Sequence, residues 1–237
     1  MGVPVRMHYL SDLVEGKVPP CRVYIFLNPF WVRGQRRRAV RRAIDDRTAV
    51  FFYGSGFLSN RPGTEGITDL TGLPVRRIQP GPGRATFIES ECPLLDGVSG
   101  TTFGTRARLS PLWAVRNTER VTPLARNSGG KLLAASARAE RGLRVYVGTT
   151  GVPVRFLRNV LQQSGITPVM RTGGVVERTG NFLAVTATRA GEKNINLRRK
   201  TDIRSLFGSL KRANVRNLSL QMEEGETLLF RTGQAPQ

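Results

Sequence analysis

The chain has a single histidine and two cysteines, which narrows the relays its hydroxyls and scattered carboxylates could enter. A Ser-His-Asp or Cys-His-Glu relay needs a histidine on a loop beside its nucleophile, and the nucleophile sits on a strand-to-helix elbow of the G-x-S-x-G kind. His8 instead falls inside Val5–Leu10, where the sequence predicts a strand. Gly54-Ser55-Gly56 has the wrong spacing for an elbow, and Cys92 stands in Glu91-Cys92-Pro93, where proline disfavours the sharp turn into a helix. Cys21 and Cys92 show no C-x-x-C spacing, so neither a disulfide framework nor a zinc site is indicated and both read as ordinary buried or half-buried thiols.

Gly148-Thr149-Thr150-Gly151 precedes an expected helix, whose first N–H groups could hold an anion. It carries neither the phosphate-loop string nor a dinucleotide fingerprint, and it reads better as a helix start with Thr150 as a cap. Glycoside cleavage would need a carboxylate pair. Asp45-Asp46, Glu89, Glu91 and Glu223-Glu224 sit at helix ends or in turns, and no spacing singles out two of them. The expectation is therefore no catalytic residue, no metal ligand and no cofactor. The aromatics are more informative. Phe30 and Trp31 follow a strand ending at Leu27, and Phe57 follows one ending at Tyr53. All three should emerge at the carboxyl edge of a sheet, where open α/β folds place ligands. They are the candidate interface residues, either as exposed anchors or as closers of the core.

The elements that would position them follow from hydrophobic patterning. Arg22–Leu27 and Ala49–Tyr53 are continuous apolar runs of the kind buried on both faces of a parallel sheet. Between them Gln35–Asp46 has helical spacing, with Ala39, Val40, Ala43 and Ile44 on one stripe and five arginines elsewhere. Strand, helix and strand in this order make a crossover unit of a doubly wound α/β layer. Val5–Leu10 is expected to precede it as a strand, with a short helix over Ser11–Glu15. The grammar returns at Leu143–Val147, a strand, and Pro153–Gln163, a helix whose Val154, Leu157, Val160 and Leu161 face the sheet. Residues 73–140, punctuated by Gln79-Pro80-Gly81-Pro82-Gly83, suggest irregular strands and loops. From about Gly174 short alternating segments (Asn181–Thr188, Asn194–Leu197, Val215–Met222 and Thr227–Arg231) give an antiparallel pattern. The expected division is an α/β domain over 1–178 and a small antiparallel β-domain over 179–237, each able to bury a core within 237 residues.

The formal net charge is +20, from 37 basic and 17 acidic residues, with 32 of the basic residues arginine. Such a field draws nucleic acid or another polyanion in a salt-dependent way. The basic residues are, however, spread along every segment, and an arginine-favouring coding background is the plainer reading. No apolar run of about 18 residues and no secretory leader pattern occur, so the expected setting is cytoplasmic, with no membrane partner.

Gly2-Val3-Pro4-Val5, Tyr9-Leu10-Ser11-Asp12-Leu13 and Val23–Phe30 resemble the start of the trimerisation domain of family 42 β-galactosidases and their bacterial relatives. The resemblance continues through Phe52–Gly56, Ile67–Gly72 and Tyr146-Val147-Gly148. Gly180–Leu183, Ala190–Lys193 and Gly225–Phe230 look like the closing strands of the same enzymes' C-terminal β-domain. It implies a flavodoxin-like fold similar to class I glutamine amidotransferases without their triad, and as partners two sister subunits and a preceding (β/α)8 barrel holding both catalytic carboxylates. In that family this region follows the barrel, so no catalytic residue carries over. A fragment, a split subunit and a stand-alone relic are all open. The leading expectation is a non-catalytic oligomerisation module, a homotrimer or a partner of a barrel. The alternatives are a basic module binding nucleic acid or another polyanion, and a sugar-processing enzyme acting alone.

Overall fold

The computed structural model describes residues 2–58, 63–170 and 173–233. Met1 and residues 234–237, the extremes of the two expected domains, lie outside them. The chain divides into two compact units, His8–Ser164 and a second that joins residues 1–7 to 165–237. This differs from the expected division at 178/179. The reason is a strand over Gly174–Thr179 that pairs along its whole length with Phe182–Ala187, so it belongs to the C-terminal sheet.

In the larger unit, helix α1 (Leu10–Val14) leads into β1 (Val23–Phe26), α2 (Gly34–Ile44) and β2 (Thr48–Phe52). β1 and β2 pair in parallel, from Val23 opposite Thr48 to Phe26 opposite Phe51, as the crossover pattern requires. Then come α3 (Thr64–Thr71), β3 (Val75–Ile78), β4 (Gly81–Phe87), β5 (Thr102–Leu109), β6 (Leu112–Val115), β7 (Thr122–Arg126), β8 (Leu132–Arg138), β9 (Leu143–Val147) and α4 (Val154–Gln163). The sheet runs β1-β2-β9-β8-β7-β4-β5, with β6 pairing β3 and β8. β2 pairs β9 in parallel, and from β8 outward the ladders are antiparallel. The unit is thus an α/β layer on a mixed sheet, its parallel part limited to three strands.

Burial follows from this order. β2 lies between β1 and β9 and is buried throughout, whereas β1 is the sheet edge and only half-buried, not covered on both faces as expected. Phe51 stacks on Phe26 at 4.9 Å, and Val40 and Ile44 of α2 seal the same side. Across the sheet, Phe156 and Val160 of α4 pack with Phe87, Val145 and Val147. Each such side chain contributes about 1.5–3 kcal/mol by leaving water. Of the four residues expected on that face, Leu157, Val160 and Leu161 are buried or half-buried while Val154 is exposed; Phe156 and the buried Asn159 complete the face. Asn159 Nδ2 donates to the carbonyls of Leu94 (3.0 Å) and Asp96 (2.8 Å), holding the short 3-10 turn at 93–95.

Two sequence expectations fail here for identifiable reasons. No strand forms over Val5–Leu10: Gly2 instead accepts backbone hydrogen bonds from Val169 (2.8 Å) and Met170 (3.1 Å), and residues 5–9 are exposed ahead of α1. Residues 73–140 are not irregular but hold six ordered strands. Pro82 and Gly83 sit inside β4 at a shift of register against β5, so the residues read as breakers mark a bulge. A Cβ on Gly83 would stand 2.8 Å from Thr149 Oγ1 and 2.5 Å from Leu109 Cδ1, so any larger residue would force these side chains to shift.

The smaller unit is a five-stranded antiparallel sheet of β10 (Gly174–Thr179), β11 (Phe182–Ala187), β12 (Gly191–Ser205), β13 (Lys211–Met222) and β14 (Thr227–Thr232), in the order β10-β11-β14-β12-β13. Val176, Leu183, Val185, Ile195, Ile203 and Phe230 form its buried face and alternate with exposed neighbours. Among the described residues no helix is long and apolar enough to cross a membrane.

Candidate interface at the carboxyl edge of the parallel strands

The chain leaves β1 and β2 through two residues with left-handed backbone, Asn28 (φ 50°) and Tyr53 (φ 48°). Asparagine tolerates this conformation; a tyrosine there is strained and must be held by its surroundings. Three hydrogen bonds do so. Tyr53 N–H donates to Val147 O (2.7 Å), Tyr53 O–H to Pro111 O (2.5 Å), and Tyr146 O–H to Tyr53 O (2.7 Å). Burial raises the Tyr53 pKa, and it pushes that of Tyr146 well above the ordinary phenol value, with the neighbouring Tyr53 adding to the shift. Both phenols stay neutral donors.

The turns after the two strands are laced together. Gly56 N–H donates to Pro29 O (2.8 Å) and Leu58 N–H to Phe30 O (2.8 Å), so Trp31 and Leu58 pair as an isolated parallel bridge. This brings Phe30, Trp31 and Phe57 to one edge, as the sequence predicted, but in two environments. Phe57 is half-buried against the Trp113 ring at 4.9 Å and closes the core. Phe30 (39% exposed) and Trp31 (43% exposed) face outward, with Phe30 edge-on to Tyr53. Exposed Leu27 and Leu58 extend the apolar patch. The guanidinium carbons of Arg33 and Arg36 lie 4.7 and 4.5 Å from the Trp31 ring centre, within cation–π range. Sequence reasoning missed Leu58 and these two arginines; the only signal is the W-x-R-x-x-R spacing around the start of α2.

Hydroxyls at this edge are committed to structure. Ser55 is buried and donates to Phe52 O (2.7 Å). Thr149, in the turn after β9, is buried and donates to Gly83 O (2.5 Å). Thr150 does not cap α4; Pro153 holds the cap position without a side-chain bond. Gly148 is required because a Cβ would meet Trp113 O at 2.4 Å, which is packing against β6 and not the cradling of a phosphate. His8 is exposed ahead of α1, Cys21 and Cys92 are free half-buried thiols, and among the described residues no three His, Cys, Asp or Glu side chains cluster as for a metal. A recess of about 580 Å³, open to solvent, lies by Pro74, Glu119, Arg120 and Ala137. Ala137 stands opposite Arg144 at the start of β9, away from the aromatic patch.

No family model matches the sequence, and no curated protein matches it. Solved structures do. A β-galactosidase from Bacillus circulans sp. alkalophilus superposes with a TM-score of 0.60 at 17% identity, over 89% of this chain and 33% of that one. The Rahnella sp. R3 β-galactosidase gives 0.57 at 15% identity, over 89% and 32%. The β-galactosidase of the haloarchaeon Halorubrum lacusprofundi gives 0.53 at 12%, over 94% and 35%. A family 42 β-galactosidase from G. stearothermophilus gives 0.57 at 14%, over 90% and 32%. The chain therefore spans about a third of the length of the β-galactosidases it matches, and what it shares with them is a fold. The chain's α/β mixed sheet with a separate small antiparallel sheet is consistent with the non-barrel domains of family 42 enzymes.

Proposed function

We propose that this chain is a non-catalytic, oligomerising part of a β-galactosidase-like glycoside hydrolase, with the flavodoxin-like, glutamine-amidotransferase-like fold of the family's trimerisation domain. The observation that carries the reading is the extent of the fold match, nearly all of this chain against a third of each enzyme. The carboxyl edge supports it. Where an amidotransferase-like fold would present a nucleophile, this chain presents Phe30, Trp31 and Leu58, and its Ser55 and Thr149 hydroxyls are tied to backbone carbonyls. An exposed aromatic flanked by arginines is the composition of an interface hot spot. The partners are two further copies of this chain or a barrel domain bearing the catalytic carboxylates. The test is sedimentation velocity of the protein and of Trp31→Glu, alongside hydrolysis of a chromogenic galactoside. The reading expects an oligomer that Trp31→Glu dissociates, and no hydrolysis by the chain alone. Turnover by the chain alone would refute it.

A further inference from the structure

The smaller unit concentrates charge in a way the sequence conceals. Arg204 of β12 is the cross-strand partner of Arg231 on β14 and of Lys211 on β13. Three cations therefore stand side by side on three adjacent strands, all exposed, although 27 positions separate the first from the last. Cross-strand partners project from the same face, and like charges directly opposite one another oppose folding. None of the ion pairs among the described residues involves these three. Three carboxylates share the face. Asp202, two residues along β12, has its Oδ1 occupied by the Asn214 N–H (2.8 Å), Glu192 at the far end of β12 accepts from Ser219 Oγ, and Glu177 lies away on β10.

The same row continues outward to Phe182 of β11, opposite Arg231 and 45% exposed. Phe207, 80% exposed, stands in the turn joining β12 to β13. A line of unneutralised cations with exposed rings beside it matches the two requirements of a single-stranded nucleic acid, charge for the phosphates and flat apolar surface for the bases. An acidic protein surface would use the cations and leave the rings unexplained.

We propose that this face of the antiparallel sheet binds single-stranded nucleic acid, with Arg204, Lys211 and Arg231 on the phosphates and Phe182 stacking a base. The proposal is independent of the oligomerisation reading, whose interface residues lie in the other unit. The test is fluorescence anisotropy of a labelled oligodeoxythymidylate between about 50 and 200 mM salt. Arg204→Gln/Lys211→Gln/Arg231→Gln is expected to weaken binding at least about tenfold and flatten the log–log salt slope by about two, from three phosphate contacts. Phe182→Ala is expected to weaken binding with the slope unchanged, since stacking releases no counterions. Arg38→Gln/Arg42→Gln on α2 together with Arg106→Gln on β5 removes the same charge elsewhere and is expected to keep the affinity. Far-UV circular dichroism checks folding, and Arg204→Lys/Arg231→Lys, which keeps the charge, is expected to bind. Equal loss in the two triple variants, no binding at all, or heparin binding equally well with Phe182→Ala without effect on the oligonucleotide, would each overturn the proposal.

Discussion

Tyr146 donates its hydroxyl hydrogen to the carbonyl oxygen of Tyr53 at 2.7 Å, and so fixes the one bulky left-handed residue at the exit of β2. The bond couples the centre of the parallel ladder to the turn that carries Phe57 and Leu58. Tyr146→Phe is expected to lower stability by about 1 kcal/mol, the net worth of a hydrogen bond. The phenol is neutral when folded, because burial raises its pKa well above the ordinary phenol value of 10.0. Above that value the unfolded chain loses the proton while the folded chain keeps it, so this group's contribution is full below about pH 10 and falls as pH rises. Melting temperatures between about pH 9 and pH 11 should therefore fall less steeply for Tyr146→Phe than for the parent; parallel curves would contradict this.

Arg144 caps the end of α2. Its guanidinium donates to the carbonyls of Ile44 (2.7 Å), Asp45 (3.1 Å) and Arg47 (2.5 Å), three acceptors at and just past the last helical turn. Arg144→Met keeps the apolar stem and removes the donors. It should cost about 2 kcal/mol, measured by urea unfolding, as expected for hydrogen bonds from a charged group.

Gly83 and Gly81 lie two residues apart in β4 and should respond differently. A Cβ on Gly83 meets Thr149 Oγ1 and Leu109, whereas at Gly81 the nearest atom is 4.0 Å away. Gly83→Ala is expected to destabilise by about 1–3 kcal/mol through overpacking. Gly81→Ala should be neutral or slightly stabilising, through the loss of freedom in the unfolded chain. Thermal melts of the two variants decide it.

Trp31 and Phe57 should also separate. Trp31→Ala removes a ring that is 43% exposed and is expected to weaken self-association while changing monomer stability by under about 1 kcal/mol. Phe57→Ala opens the core beside Trp113 and should cost about 3 kcal/mol or more. Chemical unfolding and sedimentation of each variant measure the two effects independently.

Much of the α/β half was legible because continuous apolar runs and helical spacing are local signals. Val23–Phe26, Thr48–Phe52, Gly34–Ile44 and Leu143–Val147 fall within a residue or two of their expected spans. The change of character at about Gly174 was legible, but Gly174–Thr179 was not among the expected strands because its own alternation is short, and the expected boundary fell at its far end. The middle strands were missed because Pro82 and Gly83 read as breakers, and their real role depends on Thr149, 66 residues away. The aromatic edge was predicted from strand ends alone. Which aromatic faces out was not, for it depends on where Trp113 packs. The cation row is invisible in sequence for the same reason: it exists only in the register of β14, β12 and β13.

The most direct test of the central proposal is the light-scattering mass of the purified protein at its highest soluble concentration, with and without a separately produced family 42 barrel. The account predicts a particle of about three times the 26.2 kDa chain mass, or a stable complex with the barrel. A 26.2 kDa monomer that ignores the barrel would contradict it.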